Sequence, residues 1–466
     1  MRLILRRNPF SLVPEFRHEG YPLAPDRSGS ETKMGNLLFL FLFALALRLG
    51  LVFFVPGYHF AGGMDSYEIM GKNILEGKWM VFSGYGPTAY RAPLYPMFIA
   101  LVYRIFGQHY EAIWAIQCVL GAATAVLLAV LAKGFVAEKF ALAAGVIAAV
   151  YLPFIRYHGL VLSETLFILL FVSALCVAAP DWRLASPRRV LLAGGLFGLA
   201  ALARPVSFLF PFGMIALGVV FSKNIAADIK KATTLMLAFL LVLAPWGIRN
   251  WKAFGTPILT TSQGWQSVYA GLHPTARGFG FTGEDFAKPL KEAGVPDTNE
   301  LETAKVFRAR SLQEIRKNPA HFARLAILKF GWFFYPFDGD FYGLGTRYNF
   351  LSAMVITLAF FGLALGLRRR ANWLLTYAVL YFVFLAVMIY GIPRYRLPLD
   401  AVLILWSVIA LDALFQRQGR AKTLWVIALA GAVLLNVAMS LDAEGMMKRI
   451  KSGLETSMGY SAYFKG

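Results

Sequence analysis

The chain has 466 residues, of which 58% are apolar, and its formal charge at pH 7 is +20. Globular proteins are about 45–50% apolar, so this composition excludes an ordinary soluble domain. The basic residues lie mainly in short loops between long apolar runs, which indicates membrane topology and excludes nucleic acid as a partner. Cys118 and Cys176 both fall inside apolar runs, so neither a disulfide framework nor a cysteine metal site is expected.

The N-terminal segment is basic and polar, contains prolines, and has no small-residue cleavage site after an apolar core. We predict a cytoplasmic tail over residues 1–34. A translation start at Met34 would also give a normal first membrane segment, so the sequence leaves both Met1 and Met34 open as the first residue.

Apolar windows of about 20 residues predict about eleven transmembrane helices, with a range of roughly 10 to 13. They fall near 35–55, 110–132, 139–155, 160–179, 189–203, 205–222, 232–250, 350–367, 372–391, 398–415 and 422–441. A shorter apolar stretch at 321–337 carries Arg324 and Lys329, and we predict that it lies at the membrane interface. The predicted fold class is an all-α polytopic membrane protein, with a transmembrane domain over 35–441 and a C-terminal tail over 442–466.

Lys and Arg concentrate on one side of the predicted membrane, in the N-terminal tail and in the loops around Arg183, Lys230, Arg369 and Arg420. This bias predicts that the N-terminus lies in the cytoplasm. The predicted location of the protein is the inner, or plasma, membrane of the cell. Two loops, 56–109 and 252–349, are then extracytoplasmic. In the second, Asn299 and Glu302 predict a capped helix that ends at Pro319.

The first outer loop opens on acidic residues. Asp65 and Glu68 are three positions apart, and an amphipathic interfacial helix is predicted over 65–79 with Glu68 on its polar side. Asp65 could be a general base for an acceptor hydroxyl, with Glu68 helping to position the acceptor or a cation. The alternative is a solvated pair in which Asp65 caps the helix.

Several arginines lie in outer loops, where the bias of Lys and Arg toward the cytoplasm disfavours them. They are Arg91, Arg204, Arg249, Arg394 and Arg396, most of them within two residues of a proline. A planar guanidinium binds two phosphate oxygens at once, so the group predicts a site for a lipid phosphate. The alternative for each single arginine is that it reaches lipid headgroups at its own helix end.

Further candidate residues lie close to these charges in the sequence. Glu164, near the outer end of the fourth span, could act on the substrate or be neutralised by Arg156 or His158. Candidate substrate contacts are Tyr67, Tyr90, Tyr95 and His158. The sequence leaves a divalent cation open, because Asp65, Glu68 and Asp340 could each bind one. The segment around Asp338 and Asp340 is also typical of a polar turn.

An ordered set of short motifs between about residues 37 and 415 resembles the GT-C membrane glycosyltransferases. The resemblance is to the branch of protein O-mannosyltransferases and lipid A aminoarabinose transferases. The motifs are Asp65-x-Tyr67, Pro87-Thr-Ala-Tyr-Arg-Ala-Pro-Leu-Tyr-Pro96, Ser163-Glu164, Ala203-Arg204-Pro205, Pro245-Trp246-x-x-Arg249-Asn250 and Arg394-Tyr395-Arg396-Leu-Pro398.

The resemblance implies a GT-C bundle, a polyprenyl-phosphate sugar donor, inversion at the anomeric carbon and an active site at the extracytoplasmic face. It implies that Asp65 is the catalytic base and that Arg91 contacts the carrier phosphate. Two positions depart from the family pattern: Ser66 follows Asp65 where some relatives have a second acid, and Tyr90 stands where the aminoarabinose enzymes have an acid. The sequence therefore leaves open which sugar is transferred.

The predicted function is transfer of a sugar from a polyprenyl-phosphate donor to a glycan, lipid or protein acceptor at the outer membrane face. The alternative is a transporter or flippase for a lipid phosphate or a sugar-lipid, which would also need arginines for the phosphate. Transporter folds often show paired half-repeats, and no such repeat is clear in this sequence.

Overall fold

The computed structural model describes residues 34–62, 65–82, 86–179, 181–273, 283–338, 347–367, 369, 372–416 and 419–441. The predicted N-terminal tail up to residue 33, the C-terminal tail and Asp340 lie outside the described residues. The domain boundaries predicted at both ends therefore stay predictions.

Helices make up nearly all of the described secondary structure. They are α1 (Met34–Phe54), α2 (Tyr67–Leu75), α3 (Leu94–Phe106), α4 (Tyr110–Ala132), α5 (Glu138–Val150), α6 (Leu152–His158), α7 (Glu164–Ala178), α8 (Pro187–Ala203), α9 (Phe210–Val220), α10 (Ile225–Phe254), α11 (Gly264–Leu272), α12 (Gly283–Ala293), α13 (Glu300–Lys317), α14 (Pro319–Phe333), α15 (Phe350–Gly366), α16 (Trp373–Met388), α17 (Pro393–Gln416) and α18 (Gly419–Leu441). Short 3-10 turns cover Trp182–Leu184 and Pro205–Ser207. Each predicted span coincides with one of these helices or with a helix interrupted by a short break, so the all-α polytopic fold class is confirmed.

The helices differ in whether each could cross a bilayer alone. Among the described residues, α1, α4, α10 and α17 are long and apolar enough, and α5 with α6 forms a further candidate that bends by 49°. Shorter apolar helices include α3, α7, α15 and α16. Helix α3 lies in the first outer loop, where the sequence predicted no span. The number of crossings therefore stays a prediction.

Close helix packing depends on small residues at the contacts. A β-carbon on Gly362 of α15 would lie 2.0 Å from the carbonyl oxygen of Trp406 in α17, and one on Gly194 of α8 would lie 2.2 Å from that of Leu235 in α10. Glycine at these positions lets the backbones approach, which is how membrane helices gain packing without a hydrophobic drive between them. Helix α17 lies at the centre of the bundle, with 94% of its apolar window buried.

The two loops predicted to be extracytoplasmic, the first and second outer loops, contain short elements of their own. In the first, β1 (Val81–Phe82) pairs antiparallel with β2 (Gly86–Pro87), and in the second β3 (Phe337–Asp338) pairs with β4 (Arg347–Tyr348). The side chain of Asn299 accepts from the amide of Glu302, which confirms the predicted cap of α13. Helix α13 ends at Lys317 and α14 begins at Pro319, close to the predicted boundary.

Candidate active site

Asp65 lies in an unusual backbone turn between α1 and α2. Its φ is 55° and that of Ser66 is 64°, so two successive non-glycine residues adopt the left-handed conformation. Ser66 is the residue at the N-terminal boundary of α2, and no side chain caps that helix. The interpretation of Asp65 as a helix cap is therefore wrong, and its carboxylate instead contacts arginines from other parts of the chain.

Arg91 lies in the turn between β2 and α3, and its guanidinium is held from several sides. Nε donates to the backbone carbonyl of Asp65 at 3.0 Å, and Nη2 lies 3.3 Å from Oδ1 of the same residue. Nη1 donates to Oε1 of Gln263 at 2.9 Å. The rings of Tyr67 and Tyr90 lie 5.3 and 5.0 Å from its central carbon. These contacts fix the plane of the guanidinium.

Arg394 joins two carboxylates. It lies in the first turn of α17, with Nη2 at 2.8 Å from Oδ2 of Asp65 and Nε at 2.5 Å from Oε1 of Glu164. Glu164 begins α7 and is buried, and Arg204, directly after α8, contacts the same carboxylate oxygen. The partners of Glu164 are thus Arg204 and Arg394, so the predicted partners Arg156 and His158 are wrong.

Three guanidinium groups meet two carboxylates in this cluster, which we call the charge cluster: Asp65, Arg91, Glu164, Arg204 and Arg394. One positive charge is in excess. Buried charges of this kind are stable only when they are paired. The excess charge and the forked donors suit an anion with several oxygens, such as a phosphate.

The second outer loop supports the turn that contains Arg91. Nε2 of Gln263 donates to the Tyr90 hydroxyl at 3.2 Å. Glu300, at the start of α13, accepts from the hydroxyl of Thr88, from the Ala89 amide at 3.0 Å and from Ser262 Oγ at 2.8 Å. Sequence reasoning missed Gln263 and Glu300, because neither belongs to a motif and each acts only through tertiary contacts.

Tyr90 is neutral at pH 7. Burial raises the pKa of its phenol, although the neighbouring Arg91 acts in the opposite direction. The hydroxyl therefore keeps its proton, accepts a hydrogen bond from Gln263 and lies next to the guanidinium of Arg91 as an uncharged group.

A cavity of about 490 Å³ opens beside the charge cluster. Arg91, Arg204 and Tyr67 line one part of it, where Tyr395 also lies with its ring 5.6 Å from the Arg204 guanidinium. Apolar side chains also line the cavity, among them Val206, Phe208, Leu209, Leu385 and Ile389. The lining therefore offers both cations and apolar side chains, which fits an amphipathic ligand.

Other predicted site residues have different surroundings. The carboxylate of Glu68 is buried, accepts from Tyr110 at 2.9 Å and Tyr103 at 3.3 Å, and pairs with Lys72 at 2.6 Å. Its prediction on the polar side of α2 is wrong, because these partners draw it into the contact between α2, α3 and α4. Its contacts tie α2 to its neighbours, and a catalytic role for Glu68 stays a prediction.

Two of the predicted phosphate ligands donate hydrogen bonds to backbone carbonyl oxygens instead. Arg249 donates to the carbonyl oxygens of Thr88 at 2.9 Å and Met80 at 3.0 Å. Arg396 is buried, pairs with Asp400 at 2.8 Å and donates to two carbonyl oxygens at the end of α14. In these contacts, neither arginine touches a member of the charge cluster.

Tyr95 and His158 are both buried in the helix bundle. The Tyr95 hydroxyl donates to Gln117 at 2.9 Å, and its ring packs edge-on against Tyr67. Nδ1 of His158 lies 3.0 Å from the carbonyl oxygen of Ile155, and its ring packs against Gly121. Of the predicted substrate contacts, Tyr67 lines the cavity and Tyr90 contacts Arg91, whereas the contacts made by Tyr95 and His158 are with the bundle.

A divalent cation remains a prediction. Within the described residues, no three His, Cys, Asp or Glu side chains gather where they could hold a metal ion. Asp65 is engaged by two arginines, and Asp340, another candidate ligand, lies outside the described residues.

One protein family matches part of this chain. The family described as dolichyl-phosphate-mannose-protein mannosyltransferase matches residues 90–248, which include Arg91, Glu164 and Arg204. No curated protein matches the chain.

Among solved structures, an oligosaccharyltransferase from Archaeoglobus fulgidus is similar with a TM-score of 0.53 and 15% identity, over 90% of this chain and 56% of that one. A structure of the archaeal enzyme with Zn and sulfate has a TM-score of 0.50 and 16% identity, over 87% of this chain and 52% of that one. ArnT from Cupriavidus metallidurans is also similar, with a TM-score of 0.38 and 12% identity, over 82% of this chain and 79% of that one.

The chain is a multi-pass membrane protein, and its fold is that of the archaeal oligosaccharyltransferase. The resemblance predicted from the motifs is confirmed, by the mannosyltransferase family over residues 90–248 and by the archaeal fold over most of the chain. The chain spans little more than half the length of the archaeal oligosaccharyltransferase, 56% of it.

Proposed function

We propose that this protein is a membrane glycosyltransferase that moves a sugar from a polyprenyl-phosphate donor to an acceptor hydroxyl at the extracytoplasmic face. The observation that carries the proposal is the contact of the Asp65 carboxylate with both Arg91 and Arg394 beside a cavity that has an apolar wall. A general base and two phosphate-binding cations are then neighbours.

The donor phosphate binds at Arg91, Arg204 and Arg394 in this proposal. Arg91 and Arg204 line the cavity, and Arg394 bridges to Arg204 through Glu164. The polyprenyl chain lies against the apolar wall formed by residues such as Phe208, Leu209 and Leu385. The excess positive charge of the cluster compensates the charge of the phosphodiester.

The phosphate also changes what Asp65 can do. Its oxygens compete with the Asp65 carboxylate for the same N–H groups of Arg91 and Arg394, so donor binding releases the carboxylate. A carboxylate whose oxygens are held by guanidinium N–H groups is not free to accept the proton of an acceptor hydroxyl, whereas a released carboxylate is. The donor thereby activates the base only when it is itself in place.

The reaction is a single displacement. The acceptor oxygen attacks the anomeric carbon as Asp65 takes the proton of the acceptor hydroxyl. The bond from the anomeric carbon to the phosphate oxygen breaks, and its electron pair leaves with the polyprenyl phosphate, whose growing charge the guanidinium groups stabilise. Attack opposite the leaving group inverts the anomeric configuration.

A deletion and complementation experiment tests this function. Cells that lack the gene are expected to accumulate a polyprenyl-phosphate sugar, seen by mass spectrometry of extracted lipids, and the wild-type gene removes it. The Asp65→Asn variant, present in membranes at the wild-type level, leaves the accumulation in place. Unaltered lipid-linked sugars in the deletion strain would overturn the proposal.

A transporter is the alternative outcome. Purified protein in lipid vesicles is given a labelled polyprenyl-phosphate sugar together with membranes of the deletion strain as the source of acceptor. Transfer of label to the acceptor supports the proposal. Movement of the lipid between leaflets without transfer would assign the charge cluster to transport instead.

A further inference from the structure

We infer that the segment 260–268 binds the sugar ring of the donor and selects a neutral, hydroxylated sugar over a cationic amino sugar. The inference rests on the proposed function, because it places the sugar of a lipid-phosphate donor. It concerns a wall of the cavity to which the mechanism above gives no role.

Position is the first argument. The anomeric carbon is bonded to a phosphate oxygen, so a sugar ring must lie directly beside the group that binds the phosphate. Arg91 donates to Gln263 at 2.9 Å, and Gln263 lines the same cavity. The segment 260–268 is therefore the wall that a sugar attached to an Arg91-bound phosphate would meet.

The chemistry of this wall fits a sugar. Thr260, Thr261, Gln263 and Ser267 supply hydroxyl and amide groups to the cavity lining, and Trp265 adds a broad aromatic ring. A sugar has hydroxyl groups around its edge, which such side chains can bind, and C–H groups on its face, which pack on an aromatic ring. Apolar side chains such as Phe208 and Leu385 also line the cavity, and the lipid chain can pack against them.

The Trp265 ring is held in place by residues of the second outer loop. The guanidinium of Arg308, on α13, lies 5.7 Å from the ring centre. Trp265 also packs against the cluster formed by Tyr269, Leu290 and Phe307. A ring fixed in this way loses little side-chain freedom when a ligand packs against it.

Charge gives the selectivity. Arg91 and Arg204 are the charged groups among the described residues that line the cavity, and that part of the lining holds no carboxylate. An ammonium group on the sugar would be repelled by Arg204 and would find no acid beside it. No carboxylate lines the cavity, Glu164 stays paired with Arg204 and Arg394, and the released Asp65 acts at the anomeric carbon in the proposed mechanism. A neutral sugar avoids this repulsion.

The test compares three probes bound to the purified full-length protein: a polyprenyl phosphate, the same lipid phosphate with a neutral hexose, and the same with a 4-amino pentose. The wild type is expected to bind the hexosyl lipid about tenfold more tightly than the bare lipid phosphate. It is expected to bind the amino-sugar lipid more weakly than the hexosyl lipid.

Two variants locate the effect. Trp265→Ala and Thr261→Val should lose most of the gain in affinity from the hexose, while their dissociation constants for bare polyprenyl phosphate stay at the wild-type value. That unchanged value shows that the variants are folded. Trp251→Ala removes an exposed tryptophan of α10 that does not line the cavity, and it should retain the full hexose gain.

The outcomes separate the inference from the proposed function. If Trp265→Ala and Thr261→Val keep the wild-type hexose gain, or if the wild type binds the amino-sugar lipid as tightly as the hexosyl lipid, the inference is wrong while lipid-phosphate binding stands. If the wild type binds none of the three lipids, the proposed function is wrong and the inference falls with it.

Discussion

Nη2 of Arg394 lies 2.8 Å from Oδ2 of Asp65, although the two residues are 329 positions apart in the chain. The same guanidinium reaches Glu164 through Nε, so one side chain links the first outer loop, α7 and α17. A carboxylate in this position has its charge compensated by arginines until another anion takes their N–H groups. This competition is the basis of the first prediction.

Asp65→Asn is expected to lower sugar transfer by about 100- to 10,000-fold, the range for loss of a general base. It is also expected to tighten the binding of sugar-free polyprenyl phosphate, because the neutral amide no longer competes for Arg91 and Arg394. The amide oxygen can still accept one hydrogen bond, so the loop keeps its conformation. Transfer rates and a binding isotherm on the purified variant measure both effects.

Glu76→Gln is the matched control for this prediction. Glu76 lies in the same loop, is exposed and pairs with Lys78 at 2.8 Å. The control should change neither transfer nor binding. Weaker binding of polyprenyl phosphate by Asp65→Asn would contradict the competition, and near-normal transfer would contradict the assignment of the base.

Arg394→Lys tests the geometry of the guanidinium group rather than its charge. Arginine places Nε and Nη2 on two different carboxylates at once, and a lysine ammonium on a flexible stem cannot hold both in the same arrangement. We expect transfer to fall by about 10- to 100-fold, since misplacing a catalytic group by about 1 Å costs that much. The rate of transfer at saturating donor measures it.

The control for Arg394→Lys is Arg310→Lys. Arg310 forms an exposed pair with Glu292 at 2.6 Å on the second outer loop. Such pairs contribute about 0–1 kcal/mol and should tolerate lysine. Equal transfer by the two variants would show that Arg394 acts as a simple positive charge.

The sequence predicted the helices well and the site in part. Apolar runs with basic loops marked the spans, and the arginines retained at outer helix ends included Arg91, Arg204 and Arg394. Hydropathy and spacing report which residues lie at a helix end, because they depend only on local order along the chain. That information was enough to gather the members of the charge cluster at one face.

The sequence could not predict which side chains contact one another in the site. Glu164 meets Arg394, 230 positions away, because α7, α8 and α17 pack together, and no local pattern encodes that contact. Arg249 and Arg396 resembled the other arginines in their proline-rich surroundings, yet they hold backbone carbonyls. Gln263 and Glu300 carried no motif and became visible only through their contacts with the Arg91 turn.

Glu164→Gln is expected to destabilise the protein. Glu164 is buried and compensates both Arg204 and Arg394, so a neutral glutamine leaves two cations in the bundle with reduced compensation. Removing one partner of a buried ion pair costs about 3–5 kcal/mol in free energy of unfolding. The change should appear as a lower melting temperature in detergent.

The control is Glu111→Gln, which changes an exposed acid in the first turn of α4. An exposed substitution of this kind usually alters the free energy of unfolding by less than about 0.5 kcal/mol. A Glu164→Gln protein that melts at the wild-type temperature but no longer transfers sugar would show that Glu164 acts on substrate rather than on stability.

Glu300→Ala is expected to weaken donor binding without direct contact to the donor. Glu300 accepts hydrogen bonds from Thr88, Ala89 and Ser262, so it fixes the segment directly before Tyr90 and Arg91 to the second outer loop. Its loss frees the turn, and the dissociation constant for polyprenyl phosphate should rise by about tenfold, as expected when a preorganised contact is lost. Binding isotherms with the sugar-free lipid measure this effect.

Two further variants show whether Glu300 acts through these hydrogen bonds. Glu300→Gln keeps one acceptor oxygen and should bind polyprenyl phosphate with a dissociation constant between those of the wild type and Glu300→Ala. Glu302→Ala removes the neighbouring acid, which is exposed and pairs with Lys305 at 2.7 Å, and should leave binding unchanged. If Glu302→Ala weakened binding as much as Glu300→Ala, the effect would come from the net charge of the loop. The hydrogen bonds to the Arg91 turn would then not be its cause.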